Sequence, residues 1–172
     1  MERPVLKLEK GLLDWILEIL NLCVLGFLLI YPLTYFAEIP DTIPIHFNQE
    51  GKPDGFGPKN SIWIQPVMGI FLYLLLGLFR SIPHVLNIPV EITPENAEVQ
   101  YRLVTRMLSW LSLLILLIFS TLVYKVVQSS FDNTMTLGYF FSPLFIGGIL
   151  SILGGYIFLA YKNKKGKAQI PK

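Results

Sequence analysis

Cysteine and histidine are scarce in this sequence, and their scarcity removes several classes of function. The 172 residues include one cysteine, Cys23, and two histidines. A single cysteine can form neither a disulfide within the chain nor a cysteine-based zinc site. Charged residues make up only 15% of the chain and the net charge is +2, which gives no support to a nucleic-acid-binding surface. We expect no nucleic-acid partner, and nothing in the sequence indicates a cofactor.

Long apolar runs dominate what is there. Hydrophobic residues make up 53% of the chain, more than the core of a soluble domain of this length can bury. A membrane-spanning helix needs roughly 17–25 mostly apolar residues. The segments that meet this requirement are about 19–36, 62–79, 107–127 and 139–161. We predict an all-α membrane protein with four transmembrane helices in one integral membrane domain, residues 1–172, with the lipid bilayer as its main partner.

The positions of lysine and arginine predict the orientation of these helices, because loops that face the cytoplasm carry an excess of positive residues. Such residues precede the first helix, lie between the second and third, and follow the fourth. They are Arg3, Lys7, Lys10, Arg80, Arg102, Arg106, Lys162, Lys164, Lys165 and Lys167. The loop after the third helix has no lysine or arginine. We therefore predict a multi-pass protein of a bacterial inner membrane, with both termini in the cytoplasm and the first loop outside.

The first outer loop, residues 37–61, differs in composition from the rest of the chain. Residues 43–48, IPIHFN, alternate apolar and polar side chains, which indicates a short extended segment. The turn formers that follow are Gly51, Pro53, Asp54 with Gly55, Gly57 and Pro58. Asp54 with Gly55 is the strongest turn signal among them. We predict a compact, turn-rich lid over the helix ends, with Ile43, Ile45, Phe47 and Phe56 facing down.

Three polar residues of this loop, His46, Asp54 and Lys59, have several possible roles. In a structural role, Asp54 accepts backbone amides, Lys59 pairs with Asp54 or meets lipid phosphates, and His46 bonds a loop carbonyl. Metal binding has only His46 and Asp54 as weak candidates, because the loop lacks a second histidine. Acid–base catalysis by the same pair lacks a recognisable nucleophile. Recognition of a peptide, a lipid headgroup or another membrane protein is the remaining possibility.

A second polar region lies between the second and third helices. Thr93 is suited to the N-cap position of a helix, which predicts that the third helix starts there and that residues 93–106 extend into the cytoplasm. Glu98 and Arg102 have the i,i+4 spacing of an ion pair, and Arg102 and Arg106 share one face. A solvated face with arginines at lipid phosphates is favoured here over a ligand site.

The membrane helices themselves contain weaker signals. Glu18 is either solvated or paired with a cation such as Arg80, and Pro32, Pro66 and Pro143 can bend three of the helices. These features are the only ones that suit a small transporter. The fourth helix has a face of small residues, suited first to packing within the chain and second to a homo-oligomer. Its members are Gly147, Gly148, Ser151, Gly154 and Gly155.

The stretch IPIHFNQEGKPDGFGPK, residues 43–59, resembles the hallmark IPxHFxxxGxPDGxGxK of a bacterial membrane family of unknown function. The same domain forms the N-terminal part of the immunity proteins that protect sporulating bacilli from their own sporulation-delaying peptide toxin. Residues 83–106, PHVLNIPVEITPENAEVQYRLVTR, look like the segment that often follows the second helix in stand-alone members. The immunity proteins carry additional membrane helices that this chain cannot contain, so the resemblance does not by itself imply toxin resistance.

We predict a non-enzymatic membrane protein that recognises a ligand or peptide through its outer loop, as in immunity-type signalling, and passes this occupancy to the helix extension. A metal-dependent enzyme using His46 and Asp54 and a small transporter are the alternatives, and no residue is assigned as catalytic. The candidate ligand-binding or structural residues of the loop are His46, Phe47, Asn48, Gly51, Pro53, Asp54, Gly55, Gly57 and Lys59. The cytoplasmic candidates are Asn87, Asn96, Tyr101, Arg102 and Arg106.

Overall fold

Four long helices form most of the protein, whose computed structural model describes residues 3–132 and 136–166. They are α1 (Leu12–Tyr35), α2 (Ile64–Ser81), α3 (Ala97–Phe131) and α4 (Phe141–Lys162). All four are long and apolar enough to cross a membrane, the second together with the short 3-10 helix Lys59–Trp63 before it. The predicted membrane protein with four transmembrane helices is confirmed, while its orientation in the bilayer stays a prediction.

The helix α3 is the centre of the bundle, because it packs against each of the other three helices. Leu116 and Val123 of α3 are buried together with Leu28 of α1. On the α2 side, a Cβ atom built on Gly69 would lie 2.5 Å from Cδ2 of Leu28. A glycine at this position therefore lets α1 and α2 approach closely, which is how small residues act between membrane helices.

The third helix begins later than its sequence predicts. Residues Thr93 to Asn96 form a turn, in which the Thr93 carbonyl accepts hydrogen bonds from the backbone N–H groups of Asn96 and Ala97. A hydrogen bond from the Thr93 side chain lowers the pKa of the exposed Glu95 carboxyl in this turn. The N-cap is Asn96 and not Thr93. From there the helix runs for 35 residues, or about 52 Å at 1.5 Å per residue.

The three prolines of the membrane helices differ in position: one lies inside its helix and two lie in a first turn. Pro32 lies inside α1, where its missing N–H frees the carbonyl one turn earlier. Pro66 and Pro143 lie in the first turns of α2 and α4, where backbone N–H groups have no partner inside the helix anyway. Pro66 and Pro143 therefore remove no hydrogen bond from within α2 and α4, which weakens part of the argument for a transporter.

The small-residue face of α4 packs little within the chain. Among the described residues, no atom lies within 4 Å of a Cβ built on Gly147, Gly154 or Gly155, whereas one built on Gly148 would lie 3.1 Å from Leu114 of α3. Within α4, all of which the structure describes, Ala160 is the one buried residue. Packing within the chain was the favoured role of this face. Of its glycines, Gly148 alone packs closely against another described helix. A homo-oligomer through the face stays a prediction.

The two ends of the bundle differ in structure. Between α1 and α2, the chain forms an antiparallel hairpin of β1 (Thr42–Phe47) and β2 (Pro53–Pro58), and we call this the hairpin end. The opposite end contains the start of α1 with Asp14 and the start of α3 with Arg102 and Arg106, and we call it the arginine end. Lys167 lies outside the described residues.

Candidate functional site

The hairpin rests on the bundle through an apolar underside. Ile43 of β1 is buried with Ile39 and Ile62, which flank the hairpin, and with Val126 and Val127 near the end of α3. Partly buried aromatic residues surround this cluster. Burial of these side chains fixes the hairpin to the end of α3, since each fully buried aliphatic side chain contributes roughly 1.5–3 kcal/mol.

The turn of the hairpin is formed by residues 48–52 and not by the predicted Asp54 and Gly55. The Oδ1 atom of Asn48 accepts hydrogen bonds from the backbone N–H groups of Glu50, at 3.0 Å, and Lys52, at 2.9 Å. Gly51 has a φ of 75°, a left-handed conformation that favours glycine. Asp54 and Gly55 lie instead in β2. Asp54 and Gly55 do not form the turn, because the side chain of Asn48 closes a turn earlier in the chain.

The same turn touches the connection between α3 and α4. The backbone N–H of Leu137 donates to the carbonyl of Gly51 at 2.8 Å. A Cβ atom built on Gly51 would lie 2.6 Å from the backbone nitrogen of Gly138. Gly51 is therefore needed twice, for its backbone conformation and for this close approach between two loops.

Two apolar residues of the hairpin, Ile45 and Phe56, lie on its exposed side. Pro44 pairs with Phe56 and His46 with Gly55, and the register shifts between Pro44 and His46. Such a bulge breaks the alternation of faces along a strand. Ile45, in β1, is consequently 51% exposed. Burial alternates regularly along β2, where Phe56 lies on the outward face and is 55% exposed. The prediction that Ile45 and Phe56 face the helices is wrong, whereas Ile43 is buried and Phe47 packs against the underside as expected.

The hairpin brings His46 and Asp54 together on its exposed surface. Nδ1 of His46 lies 2.5 Å from Oδ1 of Asp54, and the two side chains are 70% and 42% exposed. A Cβ atom built on Gly55, opposite His46, would lie 2.9 Å from the His46 Cβ, so the glycine allows the strands to approach here. The structural role expected for His46, a bond to a loop carbonyl, is replaced by this pairing with Asp54. The pair is displayed to solvent and not enclosed in a pocket.

Lys59 closes the base of the hairpin and is not part of this pair. Its Nζ atom lies 3.1 Å from Oδ1 of Asp41 and 5.4 Å from the centre of the Phe36 ring. Its backbone N–H donates to the Asp41 carbonyl at 2.9 Å. The expected pairing of Lys59 with Asp54 is therefore wrong, and the contacts of Lys59 are those of a structural residue.

A metal ion would find too few ligands at this site. Within residues 3–132 and 136–166, no group of three or more histidine, cysteine, aspartate or glutamate side chains is placed to hold one. His46 and Asp54 supply two ligands, whereas protein zinc sites use at least three. The described residues thus give His46 and Asp54 no further metal ligand of these four types.

At the arginine end, two of the predicted site residues are buried parts of the fold. The Asn96 side chain is fully buried, accepts from the Thr93 N–H at 2.9 Å, and donates to the carbonyls of Glu91, at 2.9 Å, and Lys164, at 2.8 Å. Tyr101 is fully buried in an apolar cluster. Asn87 is exposed. Asn96 and Tyr101 are inaccessible to a ligand, and Asn96 joins the end of α4 to the start of α3.

Arg102 and Arg106 meet a residue that the sequence analysis missed, Asp14 of α1. Nε of Arg106 donates to Oδ1 of Asp14 at 2.7 Å, and Nη1 of Arg102 lies 3.5 Å from Oδ2. Arg102 also forms the predicted ion pair with Glu98, at 3.1 Å. The available signal was a carboxylate in the first turn of a mostly apolar helix, together with two arginines that share one face of another helix. Glu18 pairs with a cation, which was one of its two predicted alternatives, but this cation is Lys10, at 3.1 Å, and not Arg80.

Comparison with known proteins supports a family likeness over part of the chain. Residues 23–70, which contain most of α1, the whole hairpin and the start of α2, match the model of a domain of unknown function, DUF1648. No solved structure matches the chain.

One similar protein is an uncharacterized protein of Archaeoglobus fulgidus. It is 32% identical over 78 residues, which cover 41% of this chain and 43% of the archaeal protein. The chain thus matches less than half the length of this relative. Over residues 23–70, it is similar to DUF1648, a domain of unknown function whose match includes the entire hairpin.

Proposed function

We propose that this protein is a membrane receptor for a peptide, and that the peptide binds to the exposed side of the hairpin. The observation that carries the proposal is the set of side chains displayed there: Ile45, His46, Asp54 and Phe56 are all exposed on a hairpin whose other side is fixed to the bundle. A rigid scaffold lowers the entropic cost of binding. We call these four side chains the hairpin surface.

The chemistry of the hairpin surface suits a peptide ligand. Phe56 and Ile45 offer apolar area that can be buried by a partner, and aromatic residues are common among the residues that dominate binding energies. His46 and Asp54 add a polar pair beside them, which can orient a partner through hydrogen bonds. A ligand with an apolar face flanked by polar or charged groups fits this combination.

The likeness of the hairpin sequence to the motif of peptide-toxin immunity proteins favours an antimicrobial peptide as the ligand. An antimicrobial peptide reaches the protein from outside the cell, so the proposal requires the hairpin to face the outside of a bacterial inner membrane. The distribution of lysine and arginine predicts this orientation. Both statements belong to the proposal.

The helix α3 offers a path from the hairpin surface to the other side of the membrane. Val126 and Val127 lie under the hairpin, and Arg102 and Arg106 lie near the other end of the same uninterrupted helix. We include in the proposal that peptide binding shifts α3 and thereby alters the contacts of these arginines with Asp14.

A binding measurement with the sporulation-delaying peptide toxin of bacilli, labelled with a fluorophore, tests the proposal. We expect saturable binding to the purified full chain in detergent micelles, measured by fluorescence anisotropy. Phe56→Ser should weaken it by about tenfold or more, as loss of a central aromatic contact does. Val85→Ser is the matched control, because Val85 is 60% exposed and lies beyond α2 at the arginine end. Absence of saturable binding, or equal loss in both variants, would refute a role of the hairpin surface in binding this peptide.

A further inference from the structure

A cavity at the arginine end has no role in the proposed peptide binding. It has a volume of about 560 Å³ and lies between the segment before α1 and the helices α1, α2 and α3. This volume is in the range of small-molecule sites, roughly 300–1,000 Å³. Its charged lining residues are Glu9, Lys10, Asp14, Glu18, Arg80 and Arg102. We call it the Arg80 cavity.

Most of these charges are already paired. Glu18 pairs with Lys10 at 3.1 Å, and Asp14 lies between Arg102 and Arg106. Arg80 and the exposed Glu9 have no ion-pair partner among the described residues. Because Asp14 and Glu18 are neutralised by their own cations, they oppose an anion near Arg80 only weakly. The Glu9 carboxylate also lines the cavity, but it is exposed to solvent, which screens its charge. Arg80 is therefore the cation of this lining that can accept an anionic ligand.

The contacts of Arg80 leave most of its hydrogen-bonding capacity open. Its Nη1 atom donates to Oγ of Ser109 at 3.2 Å, and its guanidinium lies 5.6 Å from the centre of the Tyr73 ring. A guanidinium has five N–H donors arranged as a fork, which matches two oxygens of a phosphate. A Cβ atom built on Gly77 would lie 3.4 Å from Nη2 of Arg80, so the glycine leaves space beside the guanidinium.

The opposite part of the lining is apolar and faces the lipid. Leu74 and Leu78 of α2 line the cavity and are 62% and 57% exposed. They lie on a membrane helix, so their exposed surfaces face lipid chains. A ligand that fills the cavity thus meets an arginine at one side and apolar side chains at the other, which is the chemistry of a phosphate attached to a hydrocarbon chain.

We propose that the Arg80 cavity binds a phosphate group through the free N–H groups of the Arg80 guanidinium, which Ser109 holds in place by accepting one N–H while donating its own hydroxyl to the Thr105 carbonyl. Two sources carry this group: the headgroup of an anionic phospholipid, with an acyl chain along Leu74 and Leu78, or a soluble phosphate ester. The site does not depend on the hairpin surface. Its function would be to tie the segment before α1 to α2 and α3 through a bound anion.

Native mass spectrometry of the purified full chain tests this site with three probes. They are phosphatidylglycerol, diacylglycerol, which lacks the phosphate, and glycerol 3-phosphate, which lacks the acyl chains. We expect retention of phosphatidylglycerol and not of diacylglycerol. Arg80→Gln should weaken retention by about tenfold, the effect of losing a charge-assisted hydrogen-bonded contact. Equal affinity for glycerol 3-phosphate, also lost in Arg80→Gln, would support the site and identify a soluble ester as its ligand.

Two further variants separate binding from folding. Gly77→Leu fills the space beside Arg80 and keeps its charge, so it should lose retention as well. Lys164→Gln removes one positive charge from an exposed side chain at the same end, and it should retain phosphatidylglycerol like the wild type. All variants are compared as monodisperse protein in the same detergent. Retention of diacylglycerol as strong as that of phosphatidylglycerol, or retention unchanged in both Arg80→Gln and Gly77→Leu, would overturn the proposal.

Discussion

The hairpin end and the arginine end both pair an acidic with a basic side chain, but they differ in how far these pairs are exposed. At the hairpin end, the side chains of His46 and Asp54 are 70% and 42% exposed. At the arginine end, those of Asp14 and Arg106 are 18% and 13% exposed. Exposed pairs contribute little to stability, whereas breaking a buried one is costly. The difference indicates that charges at the arginine end hold the fold, while those of the hairpin surface are available for binding.

The largest expected difference between the two ends is their position across the membrane. A cysteine placed at Gln49, in a Cys23→Ala background, should react from outside intact cells with a reagent that does not cross membranes. One placed at Lys164 should react only after the cells are opened. Both positions are exposed, so accessibility of the side chain does not confound the result. The reverse pattern would place the hairpin in the cytoplasm and rule out an external peptide as its ligand.

Asn96→Ala should destabilise the protein more than the loss of a charge pair at either end. It would leave the Thr93 N–H and the carbonyls of Glu91 and Lys164 without their buried partner. With about 1–3 kcal/mol for each unsatisfied buried group and partial relaxation, we expect the free energy of unfolding to fall by about 3 kcal/mol. Denaturant unfolding in detergent micelles measures it. Asn87→Ala, an exposed asparagine nearby in sequence, serves as the control and should have almost no effect.

Asp14→Asn keeps the size of the side chain and removes the charge that Arg102 and Arg106 share. We expect a loss of about 2 kcal/mol in the free energy of unfolding, because the partly buried Arg106 loses its carboxylate partner and Arg102 keeps only the exposed Glu98. The matched control is Glu98→Gln, since the Glu98 side chain also pairs with Arg102 but is 68% exposed. If the two variants lose the same stability, burial does not distinguish the pairs and the comparison between the two ends fails.

His46→Ala should have the smallest effect on stability. An exposed ion pair contributes about 0.2–1 kcal/mol, so the unfolding transition should move by less than in Asp14→Asn. Peptide binding to the hairpin surface should fall in the same variant. A large loss of stability together with unchanged peptide binding would show that His46 holds the hairpin together and takes no part in recognition.

The sequence was sufficient for the helices, because each is a long apolar segment whose length must match the bilayer. The helix ends were less predictable, since Thr93 and Asn96 are both good N-cap residues and the choice depends on the contact of Asn96 with Lys164, just beyond α4. The hairpin turn was misplaced because the Asn48 side chain competes with Asp54 and Gly55. The bulge that exposes Ile45 depends on strand pairing, which alternation along a single strand does not reveal.

For a similar reason, some residues of the candidate site were easier to predict from the sequence than others. His46 and Asp54 are eight positions apart in one hairpin, so a local sequence pattern was enough to identify both. Asp14 and Arg106 are 92 positions apart, and only the packing of α1 against α3 joins them. The sequence identified Arg80 as a charged residue. Its proposed role in phosphate binding depends on which carboxylates are already paired with other cations, and the sequence does not show this pairing.

The attachment of α4 has a consequence for how freely its sequence can change. Near one end, the carbonyls of Ala160 and Lys164 accept hydrogen bonds from Gln100 and Asn96 at the start of α3, while Gly147, Gly154 and Gly155 have open space beside them. As homologous chains diverge, the middle turns of α4 can therefore exchange one apolar residue for another at little cost. The amide side chains at 96 and 100 lie outside α4, yet they should be the positions that preserve its place.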